Sequence, residues 1–359
     1  MGLTIGPITV DPPVVLAPMA GITNAAFRRL CRSYGGGLYV SEMVSARALL
    51  EGGSAQAAFD ADESPRSVQL YGVDPVTVAS AVRHMAEVWQ VDHVDLNMGC
   101  PVPKVTRKGG GAALPVHTSA FSNVVRAAVR AAEGRPVTVK MRMGVDADTL
   151  TYLDAGRAAE DAGAAAVTLH ARTAEQLYSG TADWAAIAKL AAALNIPVLG
   201  NGDVWVADDA VRMVRETGCD GVVVGRGCLG RPWLFRDLED AFAGRPVRPA
   251  PTLGEVAETM REHVRLLGDV RGFRKHARWY LTGYDAPEAE AAIRRAETVG
   301  DVDAALASLD PERRPEPGSD ARPRGVTDGP RRVVLPDRWR ECADDPTPPY
   351  DADVLVSGG

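Results

Sequence analysis

A cysteine stands in the segment DLNMGCP, residues 95–101, at the end of an apolar run. Asn97 precedes Cys100 by three positions, and a glycine and a proline flank the thiol. Glycine and proline interrupt regular structure, so we expect Cys100 to lie in a loop after a strand. There a thiol can be a nucleophile, a metal ligand or an acid. Its ordinary pKa of about 8.5 keeps it protonated at neutral pH, which suits the acid role. The alternative, a small buried side chain, is our interpretation of Cys31, Cys219 and Cys228.

Two further pairs of reactive or charged side chains follow other apolar runs. Lys140 and Arg142 lie in KMRMG, and His170 and Arg172 lie in HAR. A lysine at the end of a buried strand can form a Schiff base, pair with a carboxylate or face an anionic ligand. The residue types alone leave these roles of Lys140 open.

Short apolar runs with amphipathic stretches between them recur along residues 14–226. Runs rich in β-branched residues are typical of parallel strands buried on both faces. Eight such units predict a (β/α)8 barrel, an α/β fold whose chemistry lies at the carboxyl ends of the strands. An open doubly wound sheet is disfavoured because no G-x-G-x-x-G turn follows the first run. The runs are 14–18, 38–43, 67–72, 93–100, 136–142, 166–172, 196–202 and 221–226.

The last two runs end in glycine turns, GNGD at 200–203 and GRG at 225–227. Glycine lets backbone N–H groups approach an anion closely. The loops after strands seven and eight are also the usual phosphate site of a (β/α)8 barrel. Each turn alone could be no more than a tight connection, but the pair predicts a phosphate group.

The chain divides into three regions by composition. We predict a barrel domain over 1–245 and a small helical domain over 246–309, where amphipathic stretches continue without strands. From residue 310 prolines and charged residues dominate, which predicts a disordered tail over 310–359. Within this tail, RRVVLPDRW at 331–339 is a short apolar piece that could adhere to the folded domains.

Composition excludes several classes of protein. The five cysteines are scattered without a C-x-x-C pair, which argues against a disulfide framework and a structural zinc site. Neither a secretory signal nor an apolar run of membrane-spanning length is present, so we expect a cytoplasmic protein that does not insert into a membrane. We also expect no bound metal. The net charge of −7 argues mildly against a nucleic-acid partner. We expect a monomer.

Several motifs together resemble the bacterial tRNA-dihydrouridine synthases over about residues 3–310. The segments NMGCP with its following lysine and HARTAEQ are the most specific, whereas the glycine turns are shared by many flavin-binding barrels. The helical stretch RKHARWYL also resembles that family's C-terminal domain. The remaining matching segments are APMAGITNAAFRRLC, SEMVSA, VQLYG, KMRMG, GNGDV and GRGCLGRPWLF.

The resemblance implies a flavin mononucleotide (FMN) enzyme that reduces a D-loop uridine of tRNA, with NADPH or NADH as electron donor. A hydride from flavin N5 would reach C6 of the uracil, and Cys100 would give a proton to C5. Asn97 and Arg172 would face the uracil. The implied cofactor-binding residues are Pro18, Met19, Ala20, Gln69, Lys140, His170, Asn201, Gly202, Asp203, Gly225 and Arg226.

Two basic stretches could bind RNA despite the acidic whole. Residues 101–111 carry three basic side chains and no acid, and residues 261–280 carry six against two acids. Solvated helix faces are the alternative, and the aromatic residues Phe273, Trp279 and Tyr280 could be core. The predicted RNA contacts are Lys104, Arg107, Lys108, Arg274, Lys275 and Arg278.

Two other functions remain open from the sequence. A flavin barrel that acts on a free pyrimidine also uses a cysteine or serine loop beside the flavin, but it needs no basic helical domain. A tRNA-binding protein without activity would have no use for Cys100, Lys140 and His170.

Overall fold

A computed structural model describes residues 2–52, 59–341 and 345–347. Eight parallel strands form a closed barrel in the order β10-β3-β4-β5-β6-β7-β8-β9. This confirms the fold that the eight apolar runs predict. A short hairpin of β1 (Leu3–Ile5) and β2 (Ile8–Val10) precedes the barrel. The barrel strands are β3 (Val14–Leu16), β4 (Leu38–Ser45), β5 (Ser67–Tyr71), β6 (His93–Met98), β7 (Val137–Arg142), β8 (Ala166–His170), β9 (Val198–Asn201) and β10 (Gly221–Val224).

The strands are apolar because both of their faces are buried. All residues of β5 and β8 are buried, as expected for strands between a filled barrel and a surrounding layer of helices. Leu3 and Ile5 of the hairpin join the interior-facing Val15, Leu199 and Val223 in one apolar cluster. The hairpin therefore closes the barrel at the end opposite the strands' carboxyl termini.

Each barrel strand is followed by at least one helix. Polar caps begin several of these helices; Asp74, for example, accepts a hydrogen bond from the Thr77 N–H at the start of α3. The barrel helices are α1 (Ala25–Arg32), α2 (Ala46–Leu50), α3 (Pro75–Val88), α4 (Pro103–Thr106), α5 (Thr118–Ala131), α6 (Tyr152–Asp161), α7 (Trp184–Ala193), α8 (Ala207–Thr217) and α9 (Leu234–Phe242).

Four more helices follow the barrel and share a second apolar core. Phe273 and Tyr280 are fully buried in it, so these two aromatic residues are core and not base-stacking surfaces. Tyr34, just after α1, shares a 2.8 Å hydrogen bond with Thr259 and ties the helices to the barrel. The helices are α10 (Leu253–Leu267), α11 (Val270–Tyr280), α12 (Pro287–Arg295) and α13 (Val299–Ala307).

Residues 319–341, here called the C-terminal segment, follow the rim of the barrel mouth. Among the described residues after 309, only the short 3₁₀ helix Ser319–Ala321 is regular. Trp339 is 7% exposed and stacks on His117, with ring centroids 3.7 Å apart. Arg226 donates a hydrogen bond to the Val326 carbonyl, and the Tyr178 N–H donates to the Asp328 carbonyl.

These contacts bear on the predicted tail. Composition predicts disorder from residue 310, whereas the described residues 319–341 bond to the barrel at Ala113, Asp146 and Arg226 and to α11 at Trp279. Proline-rich sequence can lie extended on a folded surface when that surface supplies partners for its backbone. Residues 342–344 and 348–359, with Cys342, lie outside the described part, and their predicted disorder stays a prediction.

Candidate active site

The barrel mouth holds an open cavity at the carboxyl ends of the strands. Its wall comes from the ends of β3, β7, β8, β9 and β10. Most of the cofactor residues predicted from the sequence meet here. Those that line the cavity are Pro18, Met19, Lys140, His170, Asn201, Gly202, Asp203, Gly225 and Arg226.

The two glycine turns approach each other on one side of the cavity. Gly202 has φ +127° and Asp203 has φ +56°, so the chain turns through the left-handed region directly after β9. A Cβ on Gly202 would lie 2.7 Å from the Cβ of Ala182, and one on Gly227 would lie 2.2 Å from the Val204 carbonyl oxygen. Side chains are therefore excluded at both turns, and backbone groups line the pocket.

An arginine, a carboxylate and a second arginine border these turns. Arg172 donates to Asp203 Oδ2 over 2.8 Å, and Arg226 Nη2 lies 3.5 Å from Asp203 Oδ1. Arg172 is 1% exposed, yet its Nη1 has no hydrogen-bond partner among the described atoms. Two cations with one carboxylate leave a positive charge, which suits a phosphate group.

Arg172 therefore lies at the glycine turns. Its other hydrogen bonds go to the carbonyls of Ser179 and Gly180. These contacts order the loop after β8, and the bond from Arg172 to Asp203 joins it to the loop after β9. The predicted contact between Arg172 and uracil stays a prediction.

Two aromatic side chains in this wall were not predicted from the sequence. The Arg226 guanidinium lies 4.4 Å from the ring centroid of Tyr178 and 4.8 Å from that of Trp205. Such stacking fixes a planar guanidinium beside the anion site. Tyr178 lies in the loop after β8, and Trp205 lies in the loop after β9. An aromatic residue shortly after a barrel strand is the sequence signal that would have identified them.

Lys140 projects into the cavity from β7. Its Nζ donates to Asn201 Oδ1 over 3.2 Å. Burial is the main cause that lowers the Lys140 pKa to about 8, with Arg142 adding to it. Burial and the surrounding cations also hold the pKa of His170 well below its usual value, so that imidazole is neutral. The site thus offers one cation that titrates near neutrality and one uncharged ring.

The loop of Cys100 is held by hydrogen bonds to its backbone. Asn97 Oδ1 accepts from the N–H groups of Gly99, at 3.2 Å, and Cys100, at 2.9 Å. Arg142 donates to the Gly99 carbonyl over 3.1 Å. Burial raises the Cys100 pKa, although Arg142 and Lys140 act in the opposite direction. The thiol is therefore protonated at neutral pH and suits an acid better than a nucleophile.

Two predicted cofactor residues lie apart from the cavity wall. Ala20 is exposed in the loop after β3. Gln69 is buried, and its carboxamide donates to Asp95 and accepts from Asn97. Its predicted bond to the flavin ring stays a prediction, for which one amide hydrogen of Gln69 remains.

The predicted RNA-binding side chains fall into two groups at the surface. Lys104 and Arg107 are exposed on and just after α4, which follows the Cys100 loop. On α11, Lys275 donates to the Gly21 carbonyl in the loop after β3, and Arg278 is exposed. Lys108 is half-buried, and Arg274 donates to the Ala296 carbonyl between α12 and α13. Arg274 therefore joins helices, in addition to any contact with RNA.

Comparison with known proteins identifies relatives along almost the whole chain. A family model described as "Dihydrouridine synthase (Dus)" matches residues 15–312. A probable tRNA-dihydrouridine synthase of Mycobacterium tuberculosis is 53% identical over 99% of this chain and 97% of that protein. The tRNA-dihydrouridine synthase B of Xanthomonas campestris is 38% identical over 82% of this chain and 92% of that protein. The family model thus ends before the C-terminal segment begins.

Solved structures share the barrel at low sequence identity. A histamine dehydrogenase from Rhizobium sp. 4-9 superposes with a TM-score of 0.50 at 12% identity, over 74% of this chain and 50% of that one. TcOYE superposes with a TM-score of 0.50 at 10% identity, over 70% of this chain and 94% of that one. At such identities the likeness concerns the fold alone.

Proposed function

The chain belongs to the dihydrouridine synthase family of flavin-dependent oxidoreductases, and we propose that it reduces the C5–C6 double bond of a D-loop uridine in tRNA. FMN is the proposed flavin and NADPH or NADH the proposed electron donor. The names of the relatives, tRNA-dihydrouridine synthases at 53% and 38% identity, support tRNA as the substrate. Cytoplasmic placement and a monomeric state stay predictions from the sequence.

The observation that carries the proposal is the meeting of an anion site and a protonated thiol at one barrel mouth. The thiol of Cys100 lies close enough to Lys140 and Arg142 for both cations to affect its pKa. Lys140 in turn lines the same cavity as the turns at Gly202 and Gly225. A cofactor phosphate at the two glycine turns and a uracil near Cys100 would therefore both lie at the mouth of the barrel.

The residues present fit a flavin mononucleotide. The unpartnered Nη1 of the buried Arg172 and the turn at Gly202, which has no room for a side chain, provide a place for its phosphate. The bound flavin supplies the hydride. Lys140 holds a positive charge beside the cofactor, Asn97 orients the Cys100 loop, and the protonated thiol gives its proton to C5 of the uracil.

One experiment tests the proposal as a whole. The purified protein is reduced with NADPH in the absence of oxygen, unmodified tRNA is added, and flavin absorption is followed. We expect the oxidised spectrum to return only with tRNA. Return of that spectrum with free uracil or with orotate would favour a free-pyrimidine enzyme, and absence of any flavin spectrum would contradict the proposal.

The pH dependence of this reaction reports on Lys140. Because its pKa lies at about 8 in the folded protein, lysine loses its charge as pH rises through that value. We expect the rate of tRNA-dependent flavin oxidation to decline across the same range. Lys140→Arg keeps a cation at higher pH and moves the decline upward. Coincident pH profiles of the two proteins would assign the titration to another group.

The salt dependence of tRNA binding reports on α11. We expect Lys275→Ala with Arg278→Ala to weaken binding and to flatten the log–log salt dependence by roughly 0.7 to 0.9 for each lost phosphate contact. Filter binding at several salt concentrations measures both. Arg83→Ala, an exposed change on α3, is the matched control. An unchanged slope in the double variant would remove α11 from the RNA surface.

A further inference from the structure

A chain of side-chain hydrogen bonds crosses the barrel interior and ends at the loop of Cys100. Its members come from three adjacent strands, β5, β6 and β7, and most are buried. In order, the links are Ser67 Oγ to His93 Nδ1 (2.6 Å), His93 Nε2 to Thr138 Oγ1 (2.9 Å), Thr138 Oγ1 to Asp95 Oδ1 (2.7 Å), Asp95 Oδ2 to Gln69 Nε2 (2.7 Å) and Gln69 Oε1 to Asn97 Nδ2 (2.8 Å).

Among the side chains of this chain, Asp95 has a fixed hydrogen-bond direction, and at its end the backbone N–H groups of Gly99 and Cys100 can only donate. Hydroxyls, neutral imidazoles and carboxamides can reverse, whereas the ionised carboxylate of Asp95 can only accept. Gln69 must therefore present its amide to Asp95, and its Oε1 is left to accept from Asn97. Asn97 in turn keeps its Oδ1 for the backbone N–H groups of Gly99 and Cys100.

If these hydrogen bonds ran in the opposite direction, the N–H groups of Gly99 and Cys100 would lose their acceptor, Asn97 Oδ1. If the carboxamide of Gln69 turned over, its amide would face the amide of Asn97. Asn97 would then turn over as well and direct its own N–H groups at those of Gly99 and Cys100. Opposed donors repel and remain without partners, which is costly in a site shielded from water.

We propose that Asp95 is a positioning residue that sets the direction of this chain and thereby, through Gln69 and Asn97, the backbone of the Cys100 loop. Asp95 is 4% exposed, in a part of the barrel also lined by Val15, Leu199 and Val223. His93, Thr138 and Lys140 line the same part of the barrel, so the carboxylate has polar partners there as well as apolar neighbours. The proposal rests on the proposed function for the acid role of Cys100, but its geometry stands apart from it.

The charge state of Asp95 agrees with this role. The groups that face it are Gln69 on β5, Thr138 and Lys140 on β7, and His93 on its own strand. Burial raises the Asp95 pKa to about 6 and lowers the His93 pKa to about 4. At pH 7.5 the carboxylate is therefore ionised and the imidazole is neutral.

The test measures hydrogen exchange of the amides at Gly99 and Cys100 in the full chain at pH 7.5. In Asp95→Leu, Gln69 loses its acceptor, and we expect exchange to rise about tenfold, as for one lost hydrogen bond. The thermal midpoint should fall, because the buried donors of Gln69 and Thr138 lose their acceptor. A merely structural role would raise exchange of amides throughout the barrel strands, whereas a positioning role raises it specifically at Gly99 and Cys100.

Two further variants distinguish the need for a hydrogen-bond acceptor at residue 95 from the need for a negative charge there. Asp95→Asn keeps an oxygen toward Gln69 while its amide donates to Thr138, so exchange should stay within about twofold of the original protein. Ser67→Ala cuts the chain beyond Asp95 and should also leave both amides protected. If Asp95→Leu does not fold, Gln69→Leu breaks the chain one link later and carries the same tenfold expectation.

Three results would overturn the inference: protected amides in Asp95→Leu, equal loosening in Ser67→Ala, or loosening in Asp95→Asn. The outcome is separable from that of the proposed function. Protected amides in Asp95→Leu, together with normal tRNA reduction by the original protein, would contradict only the role of Asp95. The expected exchange pattern in a protein that never reduces tRNA would contradict only the proposed function.

Discussion

Cys100→Ala is expected to lower the rate of uridine reduction by about 10²- to 10⁴-fold, the usual contribution of a general acid. The loss concerns the proton that C5 of the uracil needs while the hydride arrives at C6. Burial raises the Cys100 pKa, so the group removed is a protonated thiol and not a thiolate. Flavin reduction by NADPH and tRNA binding should both survive, because neither needs that proton.

Single-turnover oxidation of the reduced flavin by tRNA measures the expected loss. Cys219→Ala is the matched control, since that thiol is buried at the start of β10 and donates to the Gly221 carbonyl. Its rate should remain within about twofold of the original protein, as is usual for a change away from the reacting groups. Normal turnover in Cys100→Ala would assign the proton to another donor.

Asp203→Asn is expected to lower the free energy of unfolding of the cofactor-free protein by about 1 to 2 kcal/mol, between the values for exposed and buried ion pairs, because Arg172 is buried but Asp203 is 20% exposed. The change removes the carboxylate that accepts from Arg172 and lies beside Arg226, so two cations face each other without a counterion. Asparagine also tolerates the left-handed backbone at this position, where φ is +56°. The loss is therefore electrostatic.

An anion should restore much of this stability, because it can replace the missing carboxylate between Arg172 and Arg226. Thermal unfolding with and without FMN, and with inorganic phosphate against chloride at matched ionic strength, measures the effect. We expect a larger stabilisation by phosphate and by FMN in Asp203→Asn than in the original protein. Asp208→Asn, an exposed change at the start of α8, is the control. Equal stabilisation in all three proteins would place the phosphate elsewhere.

The barrel could be predicted from the sequence because its signals are local. Each strand is a short apolar run, and buried parallel strands need no partner-specific residues to be apolar. The glycine turns after β9 and β10 could also be predicted, because glycines repeated at the end of an apolar run are a local signal of a turn. These features depend on residues close together in the chain.

The remaining features of the site depend on residues far apart in the chain. Nothing near Arg172 indicates that it binds Asp203, 31 positions later. Likewise, Gln69 and Asp95 lie on different strands and meet only because β5 pairs with β6 in a register that sets them side by side. Register is set by the pairing of whole strands, so it cannot be predicted from the sequence of one strand alone.

The course of the C-terminal segment has a consequence for how the protein is made. A ribosome completes β10 at Val224 and then synthesises five more α-helices, α9 to α13, before the residues that contact Tyr178 and Arg226 emerge. Domains generally fold in the order in which they leave the ribosome. A nascent chain therefore acquires its barrel early and the rim of its mouth late. Full assembly of that rim depends on the ribosome having read the message through to Trp339.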